Sequence, residues 1–171
     1  MKLFNAVKEA LGDVNIIAED LGDIFDSVKK LLSDSGFPGM RVLQFGFNNE
    51  HNDNSHLAHS YPVNSVAYTG THDNDTILGW LRSADKKAAR MANEYVNASV
   101  FEKRHVSFIR TVYQSPSALA VIPMQDVLGL GTEARMNIPS TLGGNWSWRM
   151  RKPATAKSAK LLKRLAEAYL R

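Results

Sequence analysis

Along this chain, short continuous apolar runs alternate with stretches of helical periodicity. Leu3, Val7, Ala10 and Leu11 stand at i, i+4, i+7 and i+8, predicting an amphipathic helix that ends at Gly12. Residues 14–18 (Val-Asn-Ile-Ile-Ala) read as a short buried strand. Ile24, Val28, Leu31 and Leu32 form the stripe of a second helix, with Asp23 and Asp26 suited to its positive N-terminal end and Gly36-Phe37-Pro38-Gly39 stopping it. Residues 40–47 read as a strand, 48–64 as a long polar loop, and 65–68 as a third strand. A helix is predicted from Asp75 to about Ala98, with Trp80 near its start. Phe101, His105, Phe108, Ile109 and Val112 predict another. Residues 118–123, a fourth apolar run, read as a buried strand, residues 132–148 are irregular, and Leu161, Leu162, Leu165 and Tyr169 mark a C-terminal amphipathic helix.

Short, continuously apolar strands that alternate with helices indicate an α/β fold, with a parallel sheet covered on both faces. Four strands do not close an eight-stranded barrel, which takes about 250 residues. The pattern leaves two architectures open: a small open sheet, or the second half of a barrel. The first helix has no Ser, Thr, Asp or Asn where an N-cap belongs, so the chain is expected to start within an element, as a truncated piece would.

Composition narrows this little. The 171 residues suffice for one domain, 1–171, with a sizeable core. With no cysteine there is no disulfide framework and no thiolate chemistry, which fits a cytoplasmic location. No apolar run approaches the roughly 20 residues of a membrane span, so no membrane partner is expected. The net charge of +4 is concentrated at the C-terminus, where residues 149–171 hold eight Lys/Arg against the one acidic side chain Glu167. Such a segment could attract nucleic acid. The apolar stripe inside it favours a helix docked on the body with a solvated basic face, and no nucleic-acid partner.

The candidate chemistry sits at strand ends. Glu19-Asp20 follows the first predicted strand and Thr71-His72-Asp73-Asn74-Asp75 the third. In a parallel sheet all strand C-termini lie on one face, so Glu19 and Asp73 should converge. Two carboxylates flanking a bond are the usual equipment of glycoside cleavage. Partial burial behind an apolar strand would keep Glu19 protonated as a general acid, while His72 and Asn74 would hold Asp73 ionised and oriented. Against this, acids after strands often simply cap the next helix, as Asp75 before Thr76-Ile77 suggests.

A metal-dependent hydrolase using Glu19, His72 and Asp73 is the alternative, since these are suitable hard ligands. The spacing of His51, His56 and His59 matches no zinc pattern and reads as a solvated loop. His105, on an apolar helical face, reads as a core histidine. Trp146, Trp148 and Tyr61 are candidates for stacking on sugar rings, whereas Trp80 reads as core.

Several motifs carry a family resemblance: Ala18-Glu19-Asp20-Leu21-Gly22, Pro38-Gly39-Met40-Arg41-Val42-Leu43-Gln44-Phe45, and Tyr68-Thr69-Gly70-Thr71-His72-Asp73-Asn74-Asp75-Thr76. Gln125-Asp126-Val127-Leu128-Gly129, Ala134-Arg135-Met136-Asn137 and Gly144-Asn145-Trp146-Ser147-Trp148-Arg149 extend it. Together they resemble the C-terminal part of the amylomaltases, or 4-α-glucanotransferases. The resemblance implies a retaining transfer of α-1,4-glucan segments to glucose or maltodextrin acceptors on a (β/α)₈ TIM barrel, with no metal or organic cofactor. It implies that Glu19 is the general acid/base and Asp73 stabilises the distorted sugar. His72 would bind sugar hydroxyls, and Asp20, Asn74 and Asn137 would contact glucan. Phe45-Gly46-Phe47-Asn48 departs from the family's Phe-Ala-Phe-Asp, so Asn48 replaces a carboxylate contact. The family's nucleophile is an aspartate in an Arg-Ile-Asp-His motif, which this sequence lacks. The resemblance therefore implies the barrel's last half, with strands equivalent to the fifth to eighth. Such a half-barrel would be inactive alone and, through its open sheet edge, prone to self-associate; a non-catalytic glucan-binding fragment is a further alternative.

Overall fold

The computed structural model describes residues 1–22, 24–47, 54–151 and 153–171. The expectation for Asn48, like those for Asp23 and His51, falls outside the described residues. Three parallel strands form the sheet in the order of the chain: β1 (Gly39–Val42), β2 (Ser65–Tyr68) and β3 (Leu119–Val121). Gly39 pairs with Ser65 at one end of the first ladder and Val42 with Tyr68 at the other, while Val66 to Tyr68 pair with Leu119 to Val121. The helices are α1 (Lys2–Leu11), α2 (Asp26–Ser35), α3 (Ile77–Ser83), α4 (Lys86–Tyr95), α5 (Arg104–Gln114), α6 (Met124–Leu128) and α7 (Ala156–Ala168). Among the described residues no helix is long and apolar enough to cross a membrane.

The expected first strand is reduced to one bridge, Ala18 to Gly39, with Ala18 N–H donating to Pro38 O at 2.9 Å. The next amide, Met40 N–H, donates to the Asp20 carboxylate at 2.5 Å, so a side chain takes the place of the ladder. The expected strand over 40–47 ends at Val42 and tightens into a 3₁₀ turn over Leu43–Phe47. Its apolar residues still reach the core, because Leu43 and Phe47 are buried. The expected long helix from Asp75 is two helices. Asp85 accepts from Lys87 N–H and Ala88 N–H and starts α4 afresh, an N-cap signature present in the sequence.

Two other expectations are corrected. The fourth apolar run is an edge strand, with Leu119 and Val121 48% and 40% exposed, because no further strand lies beyond it among the described residues. The loop over 48–64 is not polar throughout. Leu57, Ala58 and Tyr61 are buried, and Tyr61 donates its hydroxyl to His56 O at 2.8 Å. Tyr61 is therefore core, and burial raises its phenol well above the usual range.

The main core gathers Leu43, Phe47, Ala67, Ile77, Phe108 and Val112 under the sheet, with Phe47 and Phe108 fully buried. Trp80 joins them, its ring 5.8 Å from Phe47 and 6.3 Å from Phe108, so its core reading holds. A second cluster of Ile109, Val127 and Leu165 docks α7, with Leu161, Leu162 and Tyr169 against it and Lys163 and Arg164 exposed. Arg171 secures this docking by donating to the carbonyls of Tyr113, Ser115 and Ser117. His105 is a core histidine as read from the sequence, and burial lowers its pKa. Gly129 turns at φ 66° directly against it, and a Cβ there would lie 2.5 Å from His105 Cε1.

Asp126, on α6, is 2% exposed and joins three elements. It accepts from Thr69 Oγ1 at 2.6 Å and from Ile77 N–H at 2.8 Å. Burial pushes its carboxyl up from 3.8 to about 6; the two hydrogen bonds pull it down, and nearby Asp75 adds a further upward push. With the folded value above the unfolded one, protonation favours the native state. Stability is therefore expected to rise as pH falls from about 6 towards 4, by at most about 3 kcal/mol from this group. In urea melts at pH 7.5 and pH 5.0, Asp126→Asn should show a smaller gain on acidification than wild type. An equal gain would refute the assignment.

Candidate functional site

The C-terminal ends of the three strands face one side, the position at which parallel sheets hold their chemistry. A cleft of about 600 Å³ opens there, lined by Glu19, Tyr68, His72, Asp73 and Asn74 together with Phe45 and Val121. The structure thus brings Glu19 and Asp73 into one cleft although they lie far apart in sequence. Glu19 itself is exposed, so the burial expected to hold its proton is not present. Tyr68, which sequence reasoning passed over as a strand residue, ends β2 inside the cleft. Burial, and then the negative charge of Glu19, pushes its phenol up from 10.0. An aromatic hydroxyl at a strand C-terminus beside an acid is the signal that could have found it.

Asp73 is held from several sides. Asn137 Nδ2 donates to Asp73 Oδ1 at 2.6 Å, and His72 Nε2 lies 3.3 Å from the same oxygen. Asn137 N–H donates to His72 O at 3.1 Å, drawing residues 135–138 onto the turn. The expected orienting role of Asn74 is corrected. Its side-chain oxygen accepts from Thr71 N–H at 2.8 Å and Thr71 Oγ1 at 2.9 Å, closing the turn beneath Asp73. Asn137 does the work assigned to Asn74.

Asp75 is not the cap of α3. Thr76 Oγ1 accepts from Gly79 N–H at 3.1 Å and fills that place, while Asp75 accepts from Thr132 Oγ1 at 2.7 Å and from Thr76 N–H at 2.7 Å. A Cβ on Gly79 would come within 2.5 Å of Thr132 Oγ1, so one of these side chains would have to shift to admit it. Gln44 supports the same turn from below, donating from Nε2 to Asp75 O at 2.8 Å.

Asp20 does not line the Glu19 cleft. Its carboxylate is largely buried, bonded to Met40 N–H and paired with Arg41 at 2.8 Å, and it serves the fold. Trp146 stands beside His72, ring centroids 4.9 Å apart, and caps a smaller cavity of about 170 Å³. It is 54% exposed and takes φ 60°, a left-handed conformation rare for a non-glycine residue. Among the described residues no group of three or more His, Asp or Glu could hold a metal ion.

The family model described as 4-alpha-glucanotransferase matches residues 1–155. The chain is 56% identical over 153 residues to the 4-alpha-glucanotransferase of Streptococcus pneumoniae serotype 4, an alignment covering 87% of this chain and 30% of that protein. To the 4-alpha-glucanotransferase of Clostridium butyricum it is 44% identical over 171 residues, covering 99% of this chain and 35% of that one. Among solved structures, the amylomaltase from Streptococcus agalactiae in complex with acarbose matches at TM-score 0.93 and 39% identity, over 99% of this chain and 34% of that one. The chain thus spans about a third of the length of these relatives. By the extent of the family match and the identity to these relatives, the chain belongs to the 4-alpha-glucanotransferase family.

Proposed function

We propose that this chain supplies the acid/base half of a retaining α-1,4-glucan transferase site. The observation that carries the reading is the shared cleft of Glu19 and Asp73, with Asp73 gripped by Asn137 and His72. In the reaction, Glu19 protonates the glycosidic oxygen as an aspartate attacks the anomeric carbon, forming a covalent glycosyl-enzyme. That nucleophile comes from polypeptide other than these residues, for the sequence has no Arg-Ile-Asp-His motif. Glu19 then takes the proton from the 4-hydroxyl of a glucose or maltodextrin acceptor, and transfer results. Asp73 and His72 bind the distorted sugar, and the half-exposed Trp146 ring offers a stacking face beside them.

Family membership supports the same reading of architecture. Residues 1–171 form one domain equivalent to the last half of a (β/α)₈ TIM barrel, the segment 14–18 and β1–β3 standing for its fifth to eighth strands. The exposure of Glu19 fits this, since the opposite wall of the cleft would come from the first half and would supply the missing burial. A cytoplasmic setting, with maltodextrins as donors and acceptors, suits a chain with no cysteine.

Alone, the purified chain should release no glucose from maltotriose; robust release abolished by Glu19→Gln would overturn the half-site reading. Grafted onto the first two thirds of the Streptococcus agalactiae amylomaltase in place of that enzyme's own last third, it should restore glucose release. Glu19→Gln in the graft should then reduce the rate about 10²–10⁴-fold. A graft that folds, binds acarbose and ignores Glu19→Gln would sink the assignment. The open β3 edge, with Leu119 and Val121 outward, should also drive the lone chain to self-associate. Light scattering that finds only monomer at high concentration would count against this.

A further inference from the structure

Asp73 is held by a segment that sequence reading left irregular, and one cation stands at the centre of that segment. Arg135 Nη2 donates to Asp73 O at 2.6 Å, across 62 residues of chain, and its Nε donates to Asn137 O at 2.8 Å. Asn137 in turn donates its side-chain amide to Asp73 Oδ1 and its backbone N–H to His72 O. One guanidinium thus fixes both the backbone of Asp73 and the backbone of the residue that orients the Asp73 carboxylate. Arg135 is half-buried, and among the described residues no carboxylate pairs with it within 4.0 Å. Its charge is spent on two carbonyl oxygens. Two donors in a planar fork suit that task, which a lysine's single ammonium on a flexible stem performs less well.

The neighbouring contacts show why this tie matters more than its two bonds. Residues 72–75 form a turn with no regular ladder of their own, and beyond the Asn74 turn they are held by bonds from Gln44, Thr132, Arg135 and Asn137. Gln125 Nε2 donates to Ala134 O at 3.2 Å and anchors the clamp segment to α6. Arg135 is the only one of these four that reaches the main chain of Asp73. We infer that Arg135 is a positioning residue. It latches residues 135–137 onto the His72-Asp73 turn, and so sets where the Asp73 carboxylate stands when a sugar occupies the cleft. The inference rests on the role proposed for Asp73; the ordering of the turn by Arg135 stands independently of it.

Two arms test this. In the chain itself, amide hydrogen exchange followed by NMR should accelerate at least about tenfold at Asn74 and Asn137 in Arg135→Ala, with β2 amides unchanged. Arg135→Lys should fall between. Unchanged exchange at Asn74 and Asn137, or equal acceleration throughout β2, would overturn the latch. In the active graft, Arg135→Ala should lower kcat per acarbose-binding site about 10–100-fold, the scale of a misplaced reacting group, with KM for maltotriose within about twofold. Partial recovery is expected in Arg135→Lys. A fall confined to thermal stability, with kcat per site intact, would refute the positioning role. If the unmutated graft binds acarbose but transfers nothing, the transfer reading fails, while the exchange arm still decides whether Arg135 orders Asp73.

Discussion

The cleft turn depends on how β2 passes into α3, and the buried Asp126 carboxylate bridges that passage. Asp126 accepts from Thr69 at the end of β2 and from Ile77 at the start of α3, and so ties together the two ends of the turn that carries His72 and Asp73. A charge in such a place is costly unless it is hydrogen-bonded; burial and the nearby Asp75 push the carboxyl up to about 6 while the two bonds pull it down. With the ends fixed, the turn can project its side chains into the cleft without a ladder of its own.

Polar ties of long sequence separation then do what a sheet would otherwise do. Asp20 takes Met40 N–H and stops the ladder at one bridge, while Arg41 pairs with the same carboxylate. Residues 131–137, irregular apart from one 3₁₀ turn, give Thr132, Arg135 and Asn137 to the turn over 72–75. The turn is ordered by side-chain hydrogen bonds, some to backbone and some to other side chains, whose net contribution is about 1 kcal/mol each.

The sheet edge and the cleft are both open to solvent. Leu119 and Val121 face outward from an edge strand, and Glu19 is exposed on its cleft. The relatives are about three times as long as this chain.

By periodicity alone the sequence determined the α/β class, the strand at 65–68, the docked C-terminal helix and the core roles of Trp80 and His105. Each follows from short-range patterns of apolar residues, which burial must satisfy in any fold. Strand-end chemistry also placed Glu19 and Asp73 on one face, because a parallel sheet aligns its C-terminal ends. Only the tertiary structure decided that Asn137, and not Asn74, grips Asp73, that Asp20 serves β1, and that Tyr61 is core. It alone decided that Arg135 latches the turn. The choices at Asn137, Asp20 and Arg135 depend on contacts between residues 20 to 64 positions apart, and hydrogen-bond partners at such separations leave no periodic trace in the chain.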